Sequence, residues 1–141
     1  MSPTGAASPR PLADRLLLRA PATARLLGDG AGASAIGPWP DGVSAAAPGS
    51  PAAWVALFVR SQADLVSHWP AARAAVAPGG LLWVAYPKKS GPIRTDIHRD
   101  AGWGPALADD WHPVTQIAVD DTWSALRFRP RSEIKQMTRR F

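Results

Sequence analysis

The sequence predicts a three-layer α/β fold, in which helices cover a mostly parallel sheet that ends in an antiparallel hairpin. Three observations predict it. Short apolar runs alternate with stretches of helical character, the pattern of strand–helix–strand units. Two of those runs, "WVALFVR" at 54–60 and "LLWVAYP" at 81–87, are apolar at nearly every position, as strands buried on both faces are. Later, "VTQIAV" and "SALRFR" flank "DDTW", which reads as two strands joined by a tight turn.

The elements follow in order. Residues 1–11 are mostly Pro, Ser, Ala and Gly and read as a flexible arm. "RLLLRAP" (15–21) suits a buried strand, although its leucines would serve a helix as well. Pro21 can then open a short helix, "PATARLL", capped by Gly28. Residues 29–53, dense in Gly, Pro and Ala, predict irregular backbone with a short edge strand near Val43. After the strand at 54–60, Ser61 and Asp64 form a capping-box pattern, so a helix begins there, and Pro70 should kink or divide it. "PGG" at 78–80 ends that helix and introduces the strand at 81–87. Thr95 to Trp111 is expected to be helical in pieces, because Gly102, Gly104 and Pro105 interrupt it. The whole reads as one α/β domain over 12–130, followed by a basic tail at 131–141.

Composition narrows the chemistry. A chain of 141 residues suits a single modest core. The absence of cysteine excludes disulfides and thiolate chemistry within the chain. His68, His98 and His112 are dispersed without metal-ligand spacing, so no metal is expected. No apolar run is long enough for a membrane span, and the first residues lack a secretory signal pattern. A cytoplasmic protein from a GC-rich bacterium is the expectation. Residues 127–141 hold six basic residues against Glu133, which accounts for the whole formal net charge of +5. A solvated tail explains this charge, and a patch for phosphate or nucleic acid is the sharper alternative.

Two resemblances emerge from these residues. Strand, helix, "APGG", strand, helix and then a terminal hairpin, over roughly residues 54–129, resemble the second half of a class I methyltransferase, a Rossmann-like fold. More specifically, "LLWVAYPKKSG" and "DDTWSALRFRPR" are similar to segments of a family of small bacterial proteins catalogued as a domain of unknown function. The matches sit at Trp83, Pro87, Lys88, Lys89, Trp123, Ser124, Leu126 and Arg127, and that family implies no activity. The methyltransferase resemblance implies a glycine-rich S-adenosylmethionine loop after the first strand and an acid on the second strand that grips the ribose. "LLGDGAGAS" supplies Gly28, Gly30 and Gly32, but Leu26 stands where an acid is expected. The strand before Gly28 would span only Ala24 to Leu27, and no later strand before residue 54 offers a clear ribose acid. A truncated methyltransferase-like core that has lost its cofactor site is therefore expected, with no cofactor.

In open α/β sheets, ligands bind beyond the carboxyl ends of the parallel strands. Those ends deliver Arg60 and Ser61, then Lys88, Lys89 and Ser90. The hairpin turn should bring Asp120, Asp121 and Trp123 to the same rim. Two lysines, Arg60 and a helix N-terminus at Ser61 favour an anion; the aspartates would neutralise the lysines or orient a sugar hydroxyl. Plain structural roles stand beside this reading: exposed loop charge for the lysines, turn formation for the aspartates, packing for Trp123, capping for Ser61. The expected function is a noncatalytic binding or regulatory module for a small anionic ligand or nucleotide. The alternatives are a divergent methyltransferase, or a weak nonspecific nucleic-acid binder acting through the basic C-terminus. No membrane partner is expected, and a homodimer stays open.

Overall fold

The computed structural model describes residues 11–134. A helical turn, α1 (Leu12–Arg15), precedes β1 (Ala22–Gly28), α2 (Ala31–Ile36), β2 (Val43–Ala45) and β3 (Ala52–Phe58). Then come α3 (Gln62–Ala75), β4 (Val76–Pro87), α4 (Gly104–Ala108), β5 (Trp111–Ala118) and β6 (Trp123–Pro130). The six strands form one sheet in the order β2-β1-β3-β4-β6-β5. The first four are parallel, and β6 runs antiparallel to both β4 and β5. The chain steps from β1 outward to β2 and returns to β3 on the other side. The order thus reverses between β1 and β3.

Both faces of the sheet are buried, which is why β3 and β4 are apolar without alternation. Val55, Leu57, Leu82, Val84 and Phe128 pack on one face with Leu65 and Trp69 of α3 and Trp103 before α4. Trp54, Phe58, Trp83, Ala85 and Trp123 point to the other face, where Leu16 and Leu18 cover them. Each large side chain so buried contributes on the order of 2 kcal/mol of transfer free energy.

The N-terminal third differs from the sequence expectation. Residues 15–21 do not form a strand, and β1 occupies the segment expected as a helix after Pro21. The reason is tertiary. Leu16 and Leu18 are buried against the sheet rather than inside it, and the Leu16 carbonyl accepts the indole N–H of both Trp54 (2.8 Å) and Trp83 (2.9 Å). That carbonyl is therefore spent on the sheet's face, not on a ladder. Leu17 N–H donates to Asp14 and Leu18 N–H to Ala13, the paired bonds of a Schellman cap, with Leu17 at φ 60° in the position glycine usually fills. The segment at 22–28 becomes a strand because β2 and β3 flank it, and this pairing overrides the helix propensity of Ala, Arg and Leu.

Three further differences have local causes. The 29–53 stretch is not wholly irregular, since it holds α2 and, as expected near Val43, the edge strand β2. α3 runs through Pro70 undivided; the proline withholds an N–H from the Val66 carbonyl, and Val66 lies on the exposed side of the helix. β4 starts at Val76, so "PGG" lies within the strand. Gly79 takes φ 76° there, and the register with β3 shifts between Ala52 and Trp54. Between Thr95 and Trp111, the only described helix is α4.

Candidate functional site

Pro87 ends β4 and hands the chain to a turn closed by Gly91 N–H on the Lys88 carbonyl (3.0 Å). Lys88 N–H donates to the Thr122 carbonyl (2.7 Å), so the lysine turn and the "DDTW" turn share one rim although far apart in sequence. The link runs through backbone. Asp120 is occupied by its own turn: its carboxylate accepts from Thr122 N–H and Trp123 N–H, both at 2.8 Å. Among the described residues no ion pair joins Lys88 or Lys89 to Asp120, Asp121 or any other acid. Of the two roles expected for the aspartates, neutralising the lysines is not seen in these ion pairs, and Asp120 is held by the turn's own N–H groups.

Lys88, Lys89 and Ser90 form one wall of a cavity of about 620 Å³. The turn His98–Ala101, closed by reciprocal backbone bonds of 3.0 and 3.1 Å, lines it as well. Trp103 fixes this turn from below, its indole N–H shared between the His98 and Arg99 carbonyls (2.8 and 3.0 Å). The floor is polar and neutral: Tyr86, Gln116 and Ser124, with Gln116 Nε2 donating to the Tyr86 hydroxyl (2.9 Å). Burial pushes the Tyr86 phenol above its ordinary pKa, and the hydrogen bond from Gln116 opposes this in part. Arg99 Nε lies 3.3 Å from Asp100 Oδ1, the one carboxylate of the lining.

Tyr86, Arg99, Asp100 and Gln116 escaped the sequence reading, and Ser124 and His98 figure there but not as residues of this site. Tyr86 and Ser124 are cross-strand partners on β4 and β6, a pairing that a register argument could have found. The 98–101 wall carried only a weak signal, a run of charges after the lysine loop.

The other expected residues stand elsewhere. Trp123 is buried, its ring edge-on to Phe58 at 5.1 Å, a packing role. Ser61 Oγ accepts from Asp64 N–H (3.2 Å) as the α3 cap. The helix N-terminus is served by the protein's own carboxylates: Asp64 accepts from Arg60 N–H (2.8 Å), and Asp96 from Gln62 N–H (2.9 Å). The anion expected at Ser61 is thus internal. Gln62 Nε2 also donates to the Asp96 carbonyl (2.6 Å), so Asp96 ties its loop to α3. Asp96→Ala is expected to cost about 1–2 kcal/mol in urea unfolding, with Asp96→Asn recovering part of it. Unchanged stability in Asp96→Ala would show that these bonds are replaced by water at no loss.

Arg60 forms an ion pair with Asp29, which follows β1 directly. The glycine run therefore does follow a complete strand, Ala22–Gly28, at the point where the strand order reverses, contrary to the short Ala24–Leu27 expected. Gly28 has φ 88°, and a Cβ there would collide with the Phe58 carbonyl oxygen of β3; Asp29 N–H donates to that same oxygen (2.8 Å). Beyond β2 the chain reads Ala46, Ala47, Pro48, Gly49, Ser50, without an acid. The Arg25 guanidinium binds the carbonyls of Ala47 and Ser50 at 2.6 and 2.9 Å.

Solved structures share this architecture. The ribosomal protein L11 methylase of Lactobacillus delbrueckii subsp. bulgaricus superposes with a TM-score of 0.54 at 10% identity, over 85% of this chain and 75% of that one. The fold is methyltransferase-like. A structure described as a DhpI-SAM-HEP complex matches at TM-score 0.50 and 14% identity, over 85% of each chain. No protein-family model matches the sequence, and no curated protein does. No helix among the described residues is long and apolar enough to cross a membrane, and none of their acids and histidines cluster as a metal-binding group.

Proposed function

We propose that the chain is a binding module that takes a small anionic ligand in the cavity at the carboxyl end of β4. The observation that carries this reading is the state of Lys88 and Lys89. Both lysines line the cavity without a carboxylate partner, Arg99 lines it as well, and Asp100 is the only acid in the lining. Cations without carboxylate partners in the lining of a concave site are an anion-binding arrangement.

The methyltransferase-like fold raises the question of S-adenosylmethionine, the SAM in the description of the DhpI complex. We read the rim of this chain as a poor fit to it. The lack of a side chain at Gly28 is accounted for by the approach of the Phe58 carbonyl. Asp29 is engaged by Arg60, and the segment after β2 has no acid to hold a ribose. In this reading the module is noncatalytic. A divergent methyltransferase is the second reading, and one observation favours it: Gly28-Asp29-Gly30 follows a complete β1 at the reversal of strand order. The nucleic-acid alternative has less to stand on. Arg127 and Arg129 lie within β6, Arg127 with its pKa lowered by burial and then by Arg129, and residues 135–141 fall outside the described residues.

Calorimetric titration separates the readings. Inorganic phosphate should bind, and Lys88→Ala or Lys89→Ala should each weaken it about tenfold, the worth of one charge-assisted contact, without loss of thermal stability. S-adenosylmethionine should give no binding heat. Micromolar S-adenosylmethionine binding that survives both lysine substitutions would establish the methyltransferase reading instead.

A further inference from the structure

We infer that the cavity's ligand is a phosphate monoester carried on a hydroxyl-bearing, non-aromatic body, a sugar phosphate rather than a nucleotide. This rests on the anion reading above and narrows it by charge, polarity and shape.

Charge comes first. Lys88, Lys89 and Arg99 face the space, and Asp100 is already engaged by Arg99. The lining keeps two positive charges in excess. A phosphate monoester carries between one and a half and two negative charges at neutral pH and offers three acceptor oxygens, whereas a carboxylate carries one charge and two oxygens (roughly −2 against −1). Two adjacent lysines are point-charge donors that suit a tetrahedral group, and Arg99 in the same lining adds a planar fork.

Polarity sets the other end. Tyr86, Gln116 and Ser124 offer hydroxyl and amide groups without formal charge, and Gln116 already orients the Tyr86 hydroxyl. Neutral donors and acceptors in a cluster match ligand hydroxyls. The space of about 620 Å³ is far larger than a bare phosphate needs and falls within the range of small-molecule sites.

The large aromatic rings are placed to pack the core rather than to stack on a base. Tyr86 spends its ring edge-on against Trp103, centroids 5.4 Å apart at 78°. Trp83 and Trp123 are buried in the opposite core. Tyr86 is the one tryptophan, tyrosine or phenylalanine of the lining and is 3% exposed, so its ring has little surface to offer, and nucleobase recognition without stacking forgoes its main sequence-tolerant contribution.

Titration of the full chain with ribose 5-phosphate, ribonate, ribose, AMP and inorganic phosphate tests this. Ribose 5-phosphate should bind at least about tenfold more tightly than ribonate and than inorganic phosphate, ribose should not bind measurably, and AMP should gain nothing over ribose 5-phosphate. Gln116→Leu should lower affinity for ribose 5-phosphate and leave inorganic phosphate unchanged, and Arg99→Gln, on the exposed turn, should weaken both. Ribonate binding as tightly as ribose 5-phosphate, or AMP binding tenfold more tightly, overturns the sugar-phosphate assignment and leaves the anion reading in place. Absence of binding by every probe, inorganic phosphate included, overturns both.

Discussion

Replacing Trp83 by alanine is expected to remove about 3–5 kcal/mol of folding stability, read as a lowered midpoint in urea unfolding. Trp83 is fully buried at the centre of the sheet, on the face that carries Leu16 and Leu18. Its removal leaves a cavity and withdraws one of the two indole donors from the Leu16 carbonyl. Trp54 still donates there, so the carbonyl is not orphaned, and the loss is mostly packing. Trp83→Phe should separate the two contributions, since it keeps most of the volume and loses the N–H; about 1 kcal/mol is expected from the bond. Against a typical domain stability of about 5–15 kcal/mol, Trp83→Ala brings the protein close to its unfolding threshold. A loss below about 1 kcal/mol would mean that residues 12–18 do not cover this face in solution.

Gly28→Ala is expected to cost about 3 kcal/mol or more, and Gly30→Ala to stay within about 0.5 kcal/mol of the parent. The two glycines are two residues apart, one ending β1 and one in the loop beyond, and do different work. At Gly28 the backbone lies at φ 88°, and a Cβ would collide with the Phe58 carbonyl oxygen, so β1 and β3 could not approach as they do. At Gly30 an added Cβ meets nothing within 4 Å, and the backbone is not in the left-handed region. Equal and small costs at both positions would show that the glycine run is not demanded by packing, and would return weight to a cofactor role for this loop.

How much could be read in advance depended on whether a segment's pattern or its neighbours decide its conformation. "WVALFVR" and "LLWVAYP" could be read because strands buried on both faces need apolar residues throughout, whatever flanks them. The α3 start could be read because the Ser61 cap is a local bond. "ATARLLG" could not, because nothing in Ala, Arg and Leu favours a strand. Its conformation comes from the β2 and β3 ladders and from Thr23, whose hydroxyl accepts Ala53 N–H at 3.1 Å. The cavity was half legible. The paired lysines stand out in a chain with three, but Tyr86, Gln116 and Ser124 lie on three different strands and meet only through register.

The two margins of the sheet bear on self-association. A strand left open along one side is a template for another chain, and long, flat margins invite stacking into aggregates. Here β2 offers three residues and is too short to seed a ladder. β5 is longer, but Pro113 deprives it of one amide hydrogen, and its register shifts between Pro113 and Thr115, so the strand is bent where an incoming chain would need it straight. Both margins, as formed by the described residues, are poor templates for a neighbour's strand. The sheet is in effect self-terminating, and copies of this protein that do associate are expected to meet through side-chain surfaces rather than by adding strands.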